Sequence, residues 1–218
     1  MPQQLLQLVK KDFLTEFRMK STIYGVLLYL VSTIYITYLI FHSLKEVSSW
    51  IGIFWIILVF GATNASINSF RNESGRQFLY YYSLVSAQSI ILSKLIYNSI
   101  VVLFVSILNL LVFSLLLGNP LENVLLFCLI LLFGSMGISS VLTLGAAIAS
   151  KTNNNSTLTA ILSFPILLPV LLTSIKASVL SGLGFGWEEC STYIYVLLLL
   201  NLVVFSLSYI LFPYLWRS

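Results

Sequence analysis

Residues 95–117 read LIYNSIVVLFVSILNLLVFSLLL, twenty-three positions without one charged side chain. An α-helix rises about 1.5 Å per residue, so roughly 20 apolar residues cross a hydrocarbon core of about 30 Å. This run is therefore long enough to span a bilayer. Similar runs occupy Ser21 to Phe41, Trp50 to Phe70, Val124 to Ala149, Thr157 to Ile175 and Thr192 to Phe212. They predict an all-α integral membrane protein of about six crossings. With 59% hydrophobic and only 8% charged residues in 218 positions, the chain has too few polar side chains to cover a soluble globule. The bundle from Ser21 to Ser218 is expected to be a single membrane domain.

The net charge of +4 is scattered, with no basic run interleaved with aromatics, so nucleic acid is not an expected partner. Charge instead reports topology. From a cytosolic N-terminus, the inner side collects Lys10, Lys11, Arg18, Lys20, Arg71, Arg76, Lys94, Lys151 and Arg217, whereas the outer side keeps Lys45 and Lys176. This asymmetry predicts both termini in the cytosol. Ahead of the first crossing, Met1 to Lys20 predicts an amphipathic helix lying on the lipid surface. Leu5, Leu6, Val9, Phe13 and Phe17 share one side, and Lys10, Lys11, Asp12, Glu16 and Arg18 lie around the rest. Docking of this helix on a partner is the alternative. Trp50, Trp187, Trp216 and Tyr193 fall near the predicted interfaces as anchors.

Candidate chemistry is sparse. No glycine-rich phosphate loop occurs, so the chain is not expected to hydrolyse ATP itself. His42 is a lone histidine at an interface, and Cys128 and Cys190 lack a paired metal or redox spacing. No ionisable residue lies deep in the predicted crossings, which argues against a proton-driven carrier. Asn64, Ser66, Asn68, Asn98 and Asn109 can hydrogen-bond between helices or line a polar path. The fourth crossing carries Gly134, Gly137, Gly145 and Ala146 among other small residues, a face suited to close packing within the bundle or with a second copy. Pro165 and Pro169 share a face of the fifth crossing, and each removes a backbone donor, so that helix is expected to kink, flex or end early.

Two connections are longer than the others. Lys176 to Ser191, with Gly182, Gly184 and Gly186 before Trp187, Glu188 and Glu189, predicts an outer interfacial or re-entrant segment. Arg71 to Lys94 is the sizeable cytosolic one. There Arg71, Glu73, Gly75 and Arg76 precede the aromatic run through Tyr80, Tyr81 and Tyr82, and Ser83 and Ser86 are placed to cap a short helix reaching Lys94. That order suits either a helix pressed into a groove of a cytosolic partner or a solvated connection.

Three of these segments resemble the heme exporter protein B family, the permease subunit of system I cytochrome c maturation. The run Ser163 to Val170 is similar to that family's proline-containing fifth helix. Gly145, Ala146 and Ala147 with Gly134 and Ser140 resemble its fourth, and Phe70 through Gly75 to Ser83, ending in Leu92-Ser93-Lys94-Leu95, resembles its loop after the second helix. Phe78 and Leu84 depart from the family pattern, where an acidic residue and a proline are usual. The resemblance implies a non-catalytic permease of an ABC exporter in the bacterial inner membrane, its bundle of the ABC-2 exporter type. Two copies would pair with two cytosolic ATPase subunits, heme-handling membrane subunits and a periplasmic heme chaperone. ATP use would be linked to release of the heme-loaded chaperone or to heme export. Arg71, Glu73, Gly75, Arg76 and Tyr80 to Tyr82 would be the ATPase contact. Heme would be a substrate of the complex, since an axial ligand is usually His, Met, Cys or Tyr and the one histidine here lies at an interface. A membrane scaffold without a transport path, and a permease for a drug or lipid, are the alternative readings.

Overall fold

The computed structural model describes residues 2–18, 21–67, 86–149 and 155–217. Every regular element among them is helical: α1 Pro2–Arg18, α2 Ser21–Phe41, α3 Val47–Ile67, α4 Ala87–Leu117, α5 Val124–Ala149, α6 Asn155–Gly182 and α7 Trp187–Arg217. Six of them, α2 to α7, are long and apolar enough to cross a membrane. The chain is an all-α, multi-pass membrane protein, and an even number of crossings brings the starts of α2 and α4 to the same side as the end of α7.

The bundle is built around α5, the most enclosed of the six crossings, in which every residue from Gly137 to Ala147 is buried. This helix is the central post, because its small side chains admit neighbours from both sides. A carbon added at Gly134 would lie 2.5 Å from Trp55 Cη2 and 2.8 Å from Ser174 Oγ. At Gly137 it would lie 2.7 Å from Val170 Cγ1, and at Gly145 it would overlap Ser163 Oγ and come within 3.2 Å of the Thr159 carbonyl. All three glycines thus face α6 of the same chain, with Trp55 of α3 and Asn201 of α7 closing the flanks. Ala146, next to Gly145 near the C-terminal end of α5, is buried in a cluster with Ile90, Ile91, Leu95, Ala147 and Phe212.

Aromatic rings fill the opposite half. Trp50, Phe54, Trp55, Phe113 and Phe127 are fully enclosed. Trp50 stacks on Phe54 at 5.5 Å, and Phe113 and Phe127 meet both rings edge-on. Trp50 is consequently a core residue, not the interfacial anchor its position suggested. Its indole N–H finds its partner internally, donating to the Gly118 carbonyl at 2.9 Å. Polar side chains lace the helices together: Asn98 Nδ2 donates to Thr143 Oγ1 at 2.8 Å, Asn109 Nδ2 to the Phe54 carbonyl, Asn201 Nδ2 to the Phe133 carbonyl and Trp55 Nε1 to Ser178 Oγ. Without water to compete, such bonds help select which helix faces pair.

Several helices outrun their apolar cores. The third crossing begins at Ala87 rather than near Leu95, so the short helix expected up to Lys94 is the first two turns of α4 itself. Ser86 caps it, its Oγ accepting from the Ser89 N–H at 3.3 Å. The fifth crossing does not end at its prolines or at Ile175; α6 stays helical through Pro165 and Pro169 to Gly182. Both prolines lie on the exposed side of α6, where no neighbouring helix is displaced by the ring.

The segment expected to be a separate outer element, Lys176 to Ser191, consists of the last turns of α6, a tight turn at 183–186 and the first turn of α7. Gly184 adopts φ +84°, the left-handed conformation that glycine accepts without a Cβ penalty. The Phe185 N–H then folds back onto the Leu180 carbonyl and the Gly184 N–H onto Ser181.

Candidate functional site

The residues predicted to meet an ATPase, Arg71, Glu73, Gly75, Arg76, Tyr80, Tyr81 and Tyr82, lie outside the described residues. What the structure shows is the joint on which that segment is mounted. At its downstream end α4 is pinned at three levels. Ser86 closes the first turn, Ile90, Ile91 and Leu95 pack against Ala146, Ala147 and Phe212, and Lys94 reaches across to α1.

Lys94 Nζ donates to Asp12 Oδ1 at 3.1 Å, with both side chains almost wholly enclosed, at 5% and 6% exposure. Lys11 Nζ stands 3.5 Å from the same carboxylate oxygen. One turn further along α4, Tyr97 meets Phe13 edge to face at 4.9 Å. Asp12 and Phe13 are adjacent in sequence, and Lys94 and Tyr97 are three apart, so one patch of α1 fits one face of α4 through a charge pair and a ring pair. This is more than surface adhesion. Two charges removed from water are tolerated because each neutralises the other.

The arrangement gives α1 a docking face on the bundle. Leu5, Val9 and Phe13 turn partly toward the bundle, but Leu6 is exposed and Asp12 is inside. The apolar and charged groups do not separate on two sides, because the face that docks on α4 contains the one acid that Lys94 requires. The exposed Leu6 and Leu14, at 71% and 60%, remain on the side turned away from the bundle.

From this joint the packing continues along α5 and α6. Ser163 opposite Gly145, Val170 opposite Gly137 and Ser174 opposite Gly134 mark three levels of close approach. The hydroxyls of Ser163 and Ser174 are buried without a hydrogen-bond partner. At the far end, the Glu122 and Asn123 N–H groups donate to the Gly182 and Ser181 carbonyls at 3.2 Å, clasping the end of α6 to the start of α5. Asn123 then caps α5 through its Oδ1, which accepts from the Leu126 N–H. The polar groups expected to bind helices or line a path divide accordingly: Asn98 and Asn109 join helices, Asn64 is exposed and Asn68 lies outside the described residues.

His42 closes α2. It takes φ 53°, its N–H donates to the Tyr38 carbonyl at 2.7 Å, and its ring meets Tyr38 edge-on at 6.0 Å. These are the contacts of a helix terminus. Among the described residues no three His, Cys, Asp or Glu side chains converge in a way that would hold a metal ion.

The contact that sequence reading missed is Asp12 with Lys94. A lone acid flanked by lysines in an amphipathic helix is ordinary on a surface, and nothing local distinguishes it. By sequence Lys94 stands just before the apolar run that starts at Leu95; only the extension of α4 back to Ala87 places it eight residues inside a crossing helix, where it calls for a counter-charge.

No curated protein matches the chain. The family model for CcmB protein matches residues 3–214, which takes in α1 and all six crossings. By that match, over nearly its whole length, the chain belongs to the CcmB family, the heme exporter protein B membrane subunits of cytochrome c maturation.

Proposed function

We propose that this chain is the permease half of an ATP-driven exporter in the bacterial inner membrane, with both termini cytosolic. A partner ATPase acts on it through the segment from Arg71 to Lys94. The observation that carries the reading is the mounting of that segment. A push delivered between α3 and α4 meets an α4 end fixed to α1 by the Lys94–Asp12 pair and to α5 and α7 by the Ile90–Phe212 cluster. The glycine-lined contact of α5 with α6 then offers a stiff route to the α6–α7 turn at the opposite face. The excess of Lys and Arg on the α1 side supports placing the joint in the cytosol.

ATP hydrolysis then belongs to the partner, since the chain has no phosphate loop. A second copy of the chain, heme-handling membrane subunits and a periplasmic heme chaperone complete the assembly. Heme is cargo of the complex and not a resident cofactor of this subunit. The exposed proline face of α6 lies on the side away from its glycine-lined contact with α5, so any bend of α6 under the stroke would be taken up there and not at that seam.

Reversing the charges, Arg71→Glu with Glu73→Lys, tests the docking assignment. In membranes containing the whole complex, ATPase co-purification with this chain is expected to fall about tenfold, as loss of a charge-assisted contact would give. Full assembly and unaltered ATP hydrolysis at normal chain levels would remove the segment from the interface.

A further inference from the structure

Where α6 turns into α7, a cleft of about 470 Å³ opens on the surface of the bundle. Its lining has three layers. Lys176 and Glu189 supply one charge of each sign, Thr173 and Thr192 supply hydroxyls, and Leu172 and Val196 form an apolar lower wall. Tyr193 bridges the polar and apolar parts, an amphipathic ring of the kind favoured at headgroup depth. Neither charge is buried, and no ion pair joins them at contact distance among the described residues. The turn between them is tied down: Gly184 lies against the Glu122 side chain, and the end of α6 is clasped by the Glu122 and Asn123 amides.

An ammonium and a carboxylate facing one cleft, with hydroxyls between and an apolar wall beneath, complement a headgroup that itself carries both charges. We propose that the cleft binds a zwitterionic phospholipid with a primary-amine headgroup. Its phosphate sits against Lys176 and the Thr192 hydroxyl, since the Thr173 hydroxyl already donates to the Pro169 carbonyl at 2.7 Å; its ammonium donates to Glu189, and an acyl chain lies along Leu172 and Val196. A primary ammonium offers three N–H donors to the carboxylate, whereas a quaternary ammonium offers none. An anionic headgroup would gain from Lys176 but be repelled by Glu189. The cleft is therefore built to prefer phosphatidylethanolamine over both phosphatidylcholine and phosphatidylglycerol.

The test is native mass spectrometry of the full chain, purified in mild detergent and titrated separately with phosphatidylethanolamine, phosphatidylcholine, phosphatidylglycerol and inorganic phosphate. The native chain is expected to retain one phosphatidylethanolamine about tenfold more tightly than phosphatidylcholine, the size of one charge-assisted hydrogen bond. Glu189→Gln should abolish that preference while leaving phosphatidylcholine binding intact. Lys176→Gln should weaken every phospholipid about tenfold. Both side chains are exposed, so helical content measured by circular dichroism should not change. Equal retention of the two zwitterionic lipids, tightest binding of phosphatidylglycerol, or saturation by inorganic phosphate alone would each overturn the assignment. So would variants that bind lipid as the native chain does.

Discussion

In Lys94→Leu chains, α1 is expected to leave the bundle while the six crossings stay assembled. The substitution puts an apolar group where Lys94 stood and leaves the Asp12 carboxylate, 6% exposed in the native packing, to the partly exposed Lys11 at 3.5 Å, which neutralises it best once α1 swings toward water. Breaking one side of a buried ion pair typically costs about 3–5 kcal/mol. A helix at the edge of a bundle can avoid part of that cost by swinging its acid into water, so the loss appears as local undocking rather than global unfolding. Phe13 would leave with it, giving up its contact with Tyr97. Amide hydrogen exchange across residues 5–15 should then quicken about 100-fold or more, the free-energy equivalent of about 3 kcal/mol.

Asp12→Leu should act in the same direction, because it removes the α1 side of the same contact. The pair Asp12→Leu with Lys94→Leu should recover most of the protection, because two apolar groups of similar volume can replace a buried ion pair at little cost. Recovery in the double variant separates loss of the pair from mere loss of side-chain volume. If the single variants exchange their α1 amides at the native rate, the pair does not hold α1. If the exporter reading is right as well, undocking should also lower ATP-driven turnover of the complex. That second outcome can fail while the first holds, so the joint and its proposed use are tested apart.

The Lys94 pair also marks what the sequence could and could not disclose. Apolar run length located all six crossings, and for α2 and α5 it reproduced both ends, Ser21 to Phe41 and Val124 to Ala149. Hydrocarbon thickness sets the length of an apolar run but not where its helix stops. Thus α4 continues back to Ala87 through a charged residue because a partner neutralises it, and α6 continues past Lys176 until glycines break it. The prolines were a poor guide to the end of α6. An exposed helix face leaves room for the ring, and the missing donor costs only its own hydrogen bond.

Pairings between distant residues were not legible in the same way. Asp12 with Lys94 spans 82 positions, and Trp50 with Gly118 spans 68. Composition places Trp50 at an interface as readily as in a core, and only the neighbouring Phe54, Phe113 and Phe127 decide between them. The small residues of α5 announced close packing but not the identity of the partner, which proves to be α6 of the same chain, with Trp55 set between them.

That last contact fixes the second large effect, at Gly134. A methyl group there would sit 2.5 Å from Trp55 Cη2, 3.2 Å from Trp55 Cζ3 and 2.8 Å from Ser174 Oγ. The indole cannot retreat easily. It is fully enclosed, its N–H is held by Ser178 Oγ at 3.1 Å, and Phe54 meets it edge-on at 5.9 Å. Overpacking of this kind costs about 1–3 kcal/mol, so Gly134→Ala should lower the thermal midpoint of the purified chain by about 5 °C. Gly134→Leu should prevent α6 from seating and reduce the yield of folded protein. Gly52→Ala is the matched control: nothing lies within 4 Å of its added carbon, and alanine is the better helix former by roughly 1 kcal/mol. Its midpoint should be unchanged or slightly raised. Trp55→Phe removes the ring atoms that Gly134→Ala would strike, so the double variant should be less destabilised than the sum of its parts. Strict additivity, or a Gly134→Ala midpoint equal to that of the native chain, would mean that Trp55 does not bound the space above Gly134. The same double variant also isolates the clash from what the indole contributes by itself. Any destabilisation left after the clash is relieved belongs to the unfilled edge of the ring and to Ser178, whose hydroxyl loses its indole donor.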